Sequence, residues 1–197
     1  MTSVSLSIYH QKYADKSNEE IKKRAEAKEQ ELVTIFSNIS LNTNSDPVRV
    51  AVLGCGDKRN VAHHTKIFEQ ILKRNVEVIT FDITTEHLKG ETNIFQHDCT
   101  LPLPKSPYDI MYGHVLLKFI ETKKQFDVLK NSFDALKPGG VAIHCFDWDE
   151  IKAEGPKLPD GMWAVPLAQH KKRLTELSIE YKEITLKYGS ALVLLRK

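Results

Sequence analysis

The sequence lacks the features that mark secreted, membrane-spanning and disulfide-rich proteins. Its three cysteines, Cys55, Cys99 and Cys145, are an odd number without close pairs, which argues against a disulfide framework and for a reducing compartment. No apolar run approaches the roughly 20 residues of a membrane-spanning helix. The N-terminus has no basic segment followed by an apolar core, as a secretion signal would have. We therefore expect a soluble, cytoplasmic protein without a membrane partner.

An excess of charge of either sign is also absent. Lysine and arginine total 28 residues against 26 acidic residues, which gives a formal net charge of +2. Such a balanced chain has no general attraction to nucleic acid or to membrane surfaces. The short basic clusters 22–24 and 171–173 lie in helical patterns and are predicted to be solvated helix faces. We expect no nucleic-acid partner.

The most informative stretch begins after Pro47. Val48 to Leu53 are mostly small or β-branched apolar residues, a run that predicts a strand buried on both faces. The run ends at Gly54 and Gly56, and a helical pattern follows. Glycine lets the chain turn sharply and lets a ligand approach the backbone, and the N-terminus of the next helix favours a polar or anionic group. This strand, turn and helix predict a small-molecule site.

Strands and helical patterns alternate along the rest of the chain, which predicts an α/β fold with helices on both faces of a mostly parallel sheet. The last two strands are joined by a tight turn, which allows an antiparallel hairpin. The length suggests a single domain over 1–197, with a helical N-terminal lid over 1–45 and a core over 46–197. The predicted strands are Val48 to Leu53, Val76 to Phe81, Thr92 to Phe95, Tyr108 to Tyr112, Val141 to Phe146, Tyr181 to Leu186 and Ala191 to Leu195.

Local signals also predict where several elements begin and end. Asn18 is predicted to cap a charged helix that reaches Phe36. Gly113 is predicted to end the fourth strand, and residues 137–140 to form a turn before the fifth. Residues 147–163 are predicted to be a polar loop.

The order of these signals resembles a class I S-adenosylmethionine-dependent methyltransferase. Val50–Gly56 resembles the first motif of that family, a strand ending in Leu-Gly-Cys-Gly. Asp82 and Asp98 stand after the second and third strands, where the family places acids. Tyr108–Met111 is similar to its fourth motif, and Leu136–Gly140 matches the turn before its fifth strand. The resemblance implies a doubly wound, Rossmann-like sheet of seven strands and S-adenosylmethionine as cofactor.

The resemblance implies the first part of the cofactor site. The turn Gly54, Cys55 and Gly56 would let the backbone approach the methionine part of the cofactor. Asp82 has two acceptor oxygens that can take both ribose hydroxyls. The alternatives are that Asp82 caps the following turn and that the glycines make a structural turn without a ligand.

The rest of the site follows from the resemblance in the same way. Asp98 would receive the adenine amino group, with the backbone N–H of Cys99 beside it, and Ile83 would pack on the adenine. Gly113 and His114 would line the channel towards the reacting methyl group. His114 is also the candidate base for a hydroxyl or acidic carbon acceptor, and its alternative role is packing.

The acceptor is predicted to be a small molecule. The fourth motif lacks an Asn-Pro-Pro-Tyr signature, which counts against methylation of nucleic-acid bases or glutamine amide nitrogens. Tyr9 and Tyr13 resemble the tyrosines in the N-terminal lid of small-molecule members. Trp148 and Trp163 lie in the loop predicted to cover the acceptor. The sequence leaves a partner subunit or a homodimer open.

Two residues depart from the family pattern. Val52 stands where an acid is common, and Lys58 stands at the third glycine position, although Asp57 could substitute for the missing acid. These departures support the alternative of a degenerate methyltransferase fold that acts as a non-catalytic binding or partner-stabilising module. No metal is expected, because no histidine or cysteine pair has zinc-site spacing. A nicotinamide site would want glycine where Arg59 stands.

Overall fold

The computed structural model describes residues 15–197, so the predictions for Tyr9 and Tyr13 lie outside the described residues. The helices are α1 (Asn18–Asn38), α2 (Arg59–Leu72), α3 (Thr122–Asp134), α4 (Trp148–Ile151) and α5 (Leu167–Glu176). The strands are β1 (Val48–Leu53), β2 (Val76–Asp82), β3 (Ile94–Gln96), β4 (Tyr108–His114), β5 (Leu136–Asp147), β6 (Glu180–Thr185) and β7 (Gly189–Leu195). No helix within this part of the chain is long and apolar enough to cross a membrane.

The seven strands form one sheet in the order β3-β2-β1-β4-β5-β7-β6. Neighbours from β3 to β5 pair in parallel, and β7 runs antiparallel to both β5 and β6. The predicted doubly wound, mostly parallel sheet with a C-terminal antiparallel hairpin is therefore confirmed. The strand order reverses between β1 and β4, and in open α/β sheets ligands bind beyond the carboxyl ends of the strands at such a point.

The central strands are buried on both faces. Ala51 and Leu53 of β1 face a core shared with α3 and α5. Val50 and Val52 face a second core shared with α1 and α2. Burial on both faces explains why β1 is a continuous apolar run rather than an alternating one.

The N-cap of helix α1 lies one residue earlier than predicted. Ser17, not Asn18, is the N-cap: its Oγ accepts a hydrogen bond from the Glu20 N–H at 3.2 Å. Glu20 Oε2 in turn accepts from the Ser17 N–H at 2.8 Å, which completes a capping box. Asn18 is the first helical residue, and the helix continues to Asn38 instead of Phe36.

The predicted boundaries at Gly113 and at residues 137–140 are wrong. Strand β4 continues through Gly113, where a Cβ atom would lie 3.0 Å from Nδ1 of His144 on β5. Residues 137–140 belong to the start of β5, and the β4–β5 register shifts there between Tyr108 and Ile110. Gly139 has φ +81°, and a Cβ there would lie 2.0 Å from the Asn42 carbonyl oxygen. The glycines therefore permit close strand and loop contacts rather than ending the strands.

The predicted loop 147–163 is also not irregular throughout. Trp148–Ile151 form the short helix α4. Its N-cap Asp147 and Glu150 form a capping box, with the Glu150 carboxylate accepting from the Asp147 N–H at 2.5 Å. The spacing of Asp147 and Glu150 indicates this helix start, whereas the polar composition of the segment indicated only a loop.

Candidate functional site

A cavity of about 590 Å³ lies at the carboxyl ends of β1, β2 and β4, where the strand order reverses. Its volume is within the range of sites for small molecules. The predicted site residues on its wall are Gly54, Cys55, Gly56, Asp82, Ile83, Asp98, Cys99 and His114. The wall also includes Lys28, Leu53, Asn60, His64, His97, Thr100, Tyr112, Val115, Leu116, Phe119, Ile120, Glu121, Lys124 and Met162.

Gly113 is the predicted site residue that does not line this cavity. A Cβ at this position would lie 3.6 Å from Leu116 Cδ2, so the Leu116 side chain covers Gly113. Val115 and Leu116 take its predicted place on the wall. Gly113 serves the packing of β4 against His144 instead.

The glycine turn needs its first glycine. Gly54 has φ +75°, a conformation that side chains rarely adopt, and a Cβ there would lie 3.0 Å from Leu116 Cδ1. Its N–H donates to the Phe81 carbonyl at 2.8 Å, and the next N–H, of Cys55, donates to Asp82 Oδ2 at 2.8 Å. The end of β2 thus holds the turn that follows β1.

Asp82 also caps the turn that follows it, which is the alternative role considered from the sequence. Its Oδ1 accepts from the Thr84 N–H at 3.2 Å, and its side chain is buried. His87 lies beside the turn, with Nε2 2.6 Å from the Cys55 carbonyl oxygen and 3.9 Å from Asp82 Oδ2. Asp82 therefore combines its contacts to the turn with a place on the cavity wall, where a carboxylate can accept hydrogen bonds.

Asp98 and its neighbours form the opposite wall. Asp98 Oδ1 accepts from both the N–H and the hydroxyl of Thr100, at 2.9 and 2.7 Å. Desolvation raises the pKa of Asp98, but these hydrogen bonds outweigh it and leave the pKa below its ordinary value. Within the described residues both of its hydrogen bonds go to Oδ1, so Oδ2 can accept from a ligand. Ile83 is 57% exposed, which is high for an apolar side chain on a cavity wall.

The cysteines on the wall are not nucleophiles. Burial raises the pKa of Cys55 to about 11 and the pKa of Cys99 to about 12. A thiolate is the reactive form of cysteine, so both thiols are inert near neutral pH.

His114 has a partner from the N-terminal helix. Its Nε2 lies 2.9 Å from Glu31 Oε2 on α1, and both side chains are mostly buried. Lys28, one turn earlier on α1, lines the same cavity. The sequence did not single out either residue, because α1 carries charged residues on most of its surface. The spacing of three residues was the available signal, since it places two residues on one helix face.

Three polar side chains on the cavity wall carry buried atoms that have no hydrogen-bond partner within residues 15–197. They are Asn60 at Oδ1, His64 at both ring nitrogens and Tyr112 at its hydroxyl. Burial is the main cause that lowers the pKa of His64 well below its ordinary value, with Lys28 and His114 adding to it, so His64 is neutral at pH 7. Burial also raises the pKa of Tyr112, which keeps its hydroxyl protonated.

The structure clarifies the two departures at the first motif. Val52 lines the cavity with an apolar side chain. Asp57 does not line it, because Arg59 holds its carboxylate through Nε at 2.8 Å and Nη2 at 2.6 Å. Asp57 therefore does not substitute for the missing acid. Lys58 is exposed and also stays off the cavity wall.

His144 and the two tryptophans of the predicted loop, Trp148 and Trp163, do not line the cavity. His144 is buried in β5 beside Gly113, and burial lowers its pKa to about 3. Met162, next to Trp163 in the chain, does line the cavity. Within the described part of the chain, no three histidine, cysteine or acidic side chains cluster as a metal site.

Comparisons with known proteins find the fold but no close relative. No family model matches this chain, and no curated protein matches it. An O-methyltransferase family protein from Burkholderia thailandensis superposes with a TM-score of 0.58 at 12% identity, over 85% of this chain and 56% of that protein. An S-adenosylmethionine-dependent methyltransferase from Clostridium acetobutylicum gives a TM-score of 0.61 at 10% identity, over 93% and 94% of the two chains.

A further similar structure contains the cofactor. DhpI, solved as a complex with SAM and HEP, has a TM-score of 0.56 at 16% identity, and the match covers 84% of each chain. At such identities the comparisons establish the fold, which is that of the class I methyltransferases. Any reaction that this chain catalyses has to be inferred from its own residues.

Proposed function

We propose that this chain, which has the class I methyltransferase fold, is an S-adenosylmethionine-dependent methyltransferase with a small-molecule acceptor. The observation that carries the proposal is the cavity beyond β1, β2 and β4, in which the Asp82 carboxylate holds the glycine turn. A fold hosts many functions, so the proposal rests on these residues rather than on the fold alone.

The residues on the wall fit the cofactor. The turn around Gly54 gives backbone access, and the Asp82 carboxylate on the wall is the kind of acceptor that ribose hydroxyls require. Asp98 Oδ2 is available for the adenine amino group, and the exposed face of Ile83 would be covered by the adenine ring. The unpartnered polar atoms at the far end of the cavity also call for a ligand. When bound, the cofactor supplies an electrophilic methyl group.

His114 is the proposed base for the acceptor. It lines the cavity, and the Glu31 carboxylate orients its ring through the 2.9 Å contact at Nε2. A ring held in this position could take a proton from an acceptor hydroxyl bound in the cavity. The apolar wall of Leu116, Phe119 and Met162 would exclude water and suits a small organic acceptor.

The first test is isothermal titration with S-adenosylmethionine and S-adenosylhomocysteine. An Asp82→Ala variant is a weak probe by itself, because it also removes the acceptor of the Cys55 N–H. Ile83→Asn is sharper, since Ile83 is 57% exposed and its side chain has little role in folding. We expect micromolar binding to the wild type and about tenfold weaker binding to Ile83→Asn, from lost apolar contact with the adenine.

Val33→Asn is the matched control. Val33 is another exposed β-branched residue, at 52%, and it is not on the cavity wall. This variant should bind both nucleosides like the wild type. Failure of the folded wild type to bind either nucleoside would contradict the proposal and favour the non-catalytic module.

A further inference from the structure

The far end of the cavity, between α1, α2 and β4, is a built polar subsite. We call Lys28, Asn60, His64 and Tyr112 the polar end. Asn60 and His64 are each 2% exposed and Tyr112 is 1% exposed, yet Asn60 Oδ1, both His64 nitrogens and the Tyr112 hydroxyl have no partner within residues 15–197. Buried polar groups are nearly always hydrogen-bonded, so unpartnered groups on a cavity wall indicate a ligand.

The polar end is rich in hydrogen-bond donors. Lys28 contributes an ammonium group, Tyr112 a protonated hydroxyl and neutral His64 one ring N–H. Lys28 makes no ion pair with a carboxylate in the described part of the chain, and Glu31 on the same helix is bonded to His114. The position at which related enzymes commonly carry an acid is Val52, which lines the cavity. The carboxylates on the cavity wall, Asp82, Asp98 and Glu121, are not part of the polar end, so its cation and donors match an anionic ligand group.

We propose that the polar end binds a carboxylate of the ligand, held by Lys28, Tyr112 and His64. This inference rests on the proposed function and adds the chemistry of one subsite to it. The carboxylate can come from the amino-acid arm of the cofactor or from a carboxylate on the acceptor. Asn60 Oδ1 is the acceptor within the polar end and suits an N–H beside that carboxylate.

The test compares S-adenosylhomocysteine with 5′-methylthioadenosine, which has the same nucleoside and sulfur but no amino-acid arm. We expect titration of the wild type to show at least tenfold tighter binding of S-adenosylhomocysteine, because a hydrogen bond to a charged group is worth about that factor. Lys28→Met and Tyr112→Phe should each weaken S-adenosylhomocysteine binding by about tenfold and leave 5′-methylthioadenosine binding unchanged.

Tyr108→Phe is the matched control on the same strand. The Tyr108 hydroxyl donates to the Pro104 carbonyl at 2.7 Å and lies away from the cavity, so this variant should bind both nucleosides like the wild type. Melting temperature gives a second readout. Tyr112→Phe removes an unpartnered hydroxyl and should raise the melting temperature of the ligand-free protein, whereas Tyr108→Phe should lower it. If the Tyr112 hydroxyl had a purely structural role, the melting temperatures of both variants would fall.

A second arm of the experiment distinguishes the sources of the carboxylate. If the wild type binds both nucleosides equally, 4-hydroxybenzoate is titrated into the S-adenosylhomocysteine complex. Binding of 4-hydroxybenzoate that Tyr112→Phe weakens assigns the subsite to the acceptor. Equal nucleoside affinities without such binding overturn the inference alone. Failure of both nucleosides to bind overturns the proposed function and this inference together.

Discussion

A buried carboxylate near the amino end of β4, away from the cavity, should contribute strongly to the free energy of unfolding. Asp109 in β4 is fully buried and accepts four hydrogen bonds. Thr43 and Ser45 donate their hydroxyls, the Ser45 contact at 2.7 Å. The Arg49 N–H donates at 2.8 Å and the Lys137 ammonium at 3.0 Å. One side chain therefore joins the loop after α1 to β1, β4 and β5.

Asp109→Ala removes the acceptor and leaves these donors unpaired. We expect a loss of about 4 kcal/mol in the free energy of unfolding, because removing one partner of a buried ion pair costs about 3–5 kcal/mol. With a urea slope of about 2 kcal/mol/M, the unfolding midpoint should fall by about 2 M. Asp109→Asn should lose less, since its amide can donate to the Thr43 and Ser45 hydroxyls while its oxygen accepts from Arg49. Urea unfolding followed by far-ultraviolet circular dichroism measures both changes.

Asp134→Ala is the control for this experiment. Asp134 lies at the end of α3 in an exposed pair with Lys130, so its loss should change stability by no more than about 0.5 kcal/mol. A loss below about 1 kcal/mol in Asp109→Ala, with an unchanged slope, would refute the reasoning because it is far below the cost of an unpaired buried charge.

The contribution of Asp109 to the free energy of unfolding should decrease at acid pH. Desolvation raises the pKa of Asp109, but hydrogen bonds from Thr43, Arg49, Ser45 and Lys137 outweigh it and hold the pKa below its ordinary value. The folded pKa is thus below the unfolded value of about 3.9. Its stabilisation is complete above the unfolded value and is lost as the pH falls through the folded pKa. The difference between wild type and Asp109→Asn should therefore be constant near neutrality and shrink below about pH 4.

Two further stability predictions follow from buried residues. Burial, with a smaller contribution from His170, lowers the pKa of His144 to about 3, so the unfolded chain takes up a proton at a higher pH than the folded chain. Stability should fall from about pH 6.5 downwards by up to about 1.4 kcal/mol per pH unit, and His144→Leu should reduce that loss in urea midpoints compared at pH 7 and pH 5. Gly189→Ala would place a Cβ 1.7 Å from the Phe146 carbonyl oxygen, whereas the Gly155 position has nothing within 4 Å. Calorimetry should therefore show a loss of about 3 kcal/mol for Gly189→Ala and about 0.5 kcal/mol or less for Gly155→Ala.

The sequence predicted best where one strong pattern has clear ends. Strand β1 begins at Val48 and ends at Leu53 as predicted, because an apolar run buried on both faces is bounded by Pro47 and Gly54. The predicted N-cap of α1 was one residue too late, because serine and asparagine are both good caps. Glu20 decides in favour of Ser17, since a capping box needs an acid three residues after the cap.

Predictions were wrong where long-range contacts outweigh a local signal. Gly139 and Gly140 indicate a turn by themselves, yet they lie in β5, where the Gly139 N–H donates to the Arg196 carbonyl at 2.6 Å. A Cβ at Gly140 would lie 2.9 Å from the Asp109 carbonyl oxygen. These glycines allow neighbouring chains to approach closely, which no local pattern distinguishes from a turn.

The sequence predicted the part of the cavity wall around Asp82 and Asp98 and missed the polar end. Asp82 and Asp98 follow strands, so the order of strands brings them to one edge of the sheet. Lys28 reaches the cavity, and Glu31 reaches His114, because α1 packs against α2 and the sheet. Periodicity indicates which residues share a helix face but not which part of the sheet that face covers, so these residues could not be placed from the sequence.

The unpartnered groups of the polar end also bear on whether the fold retains a ligand. A chain that used this fold only as a scaffold would be more stable with phenylalanine at Tyr112 or an apolar residue at His64, because each unpaired buried polar group costs about 1–3 kcal/mol. Such a chain would also lose packing contacts around an empty cavity of about 590 Å³ beneath α1. A ligand whose carboxylate lay at the polar end would accept from these donors, and the rest of that ligand would occupy the cavity. On this proposal, Val52, at the position where the resemblance implies an acid, alters the charge of the ligand group that the cavity binds and does not by itself argue against a ligand.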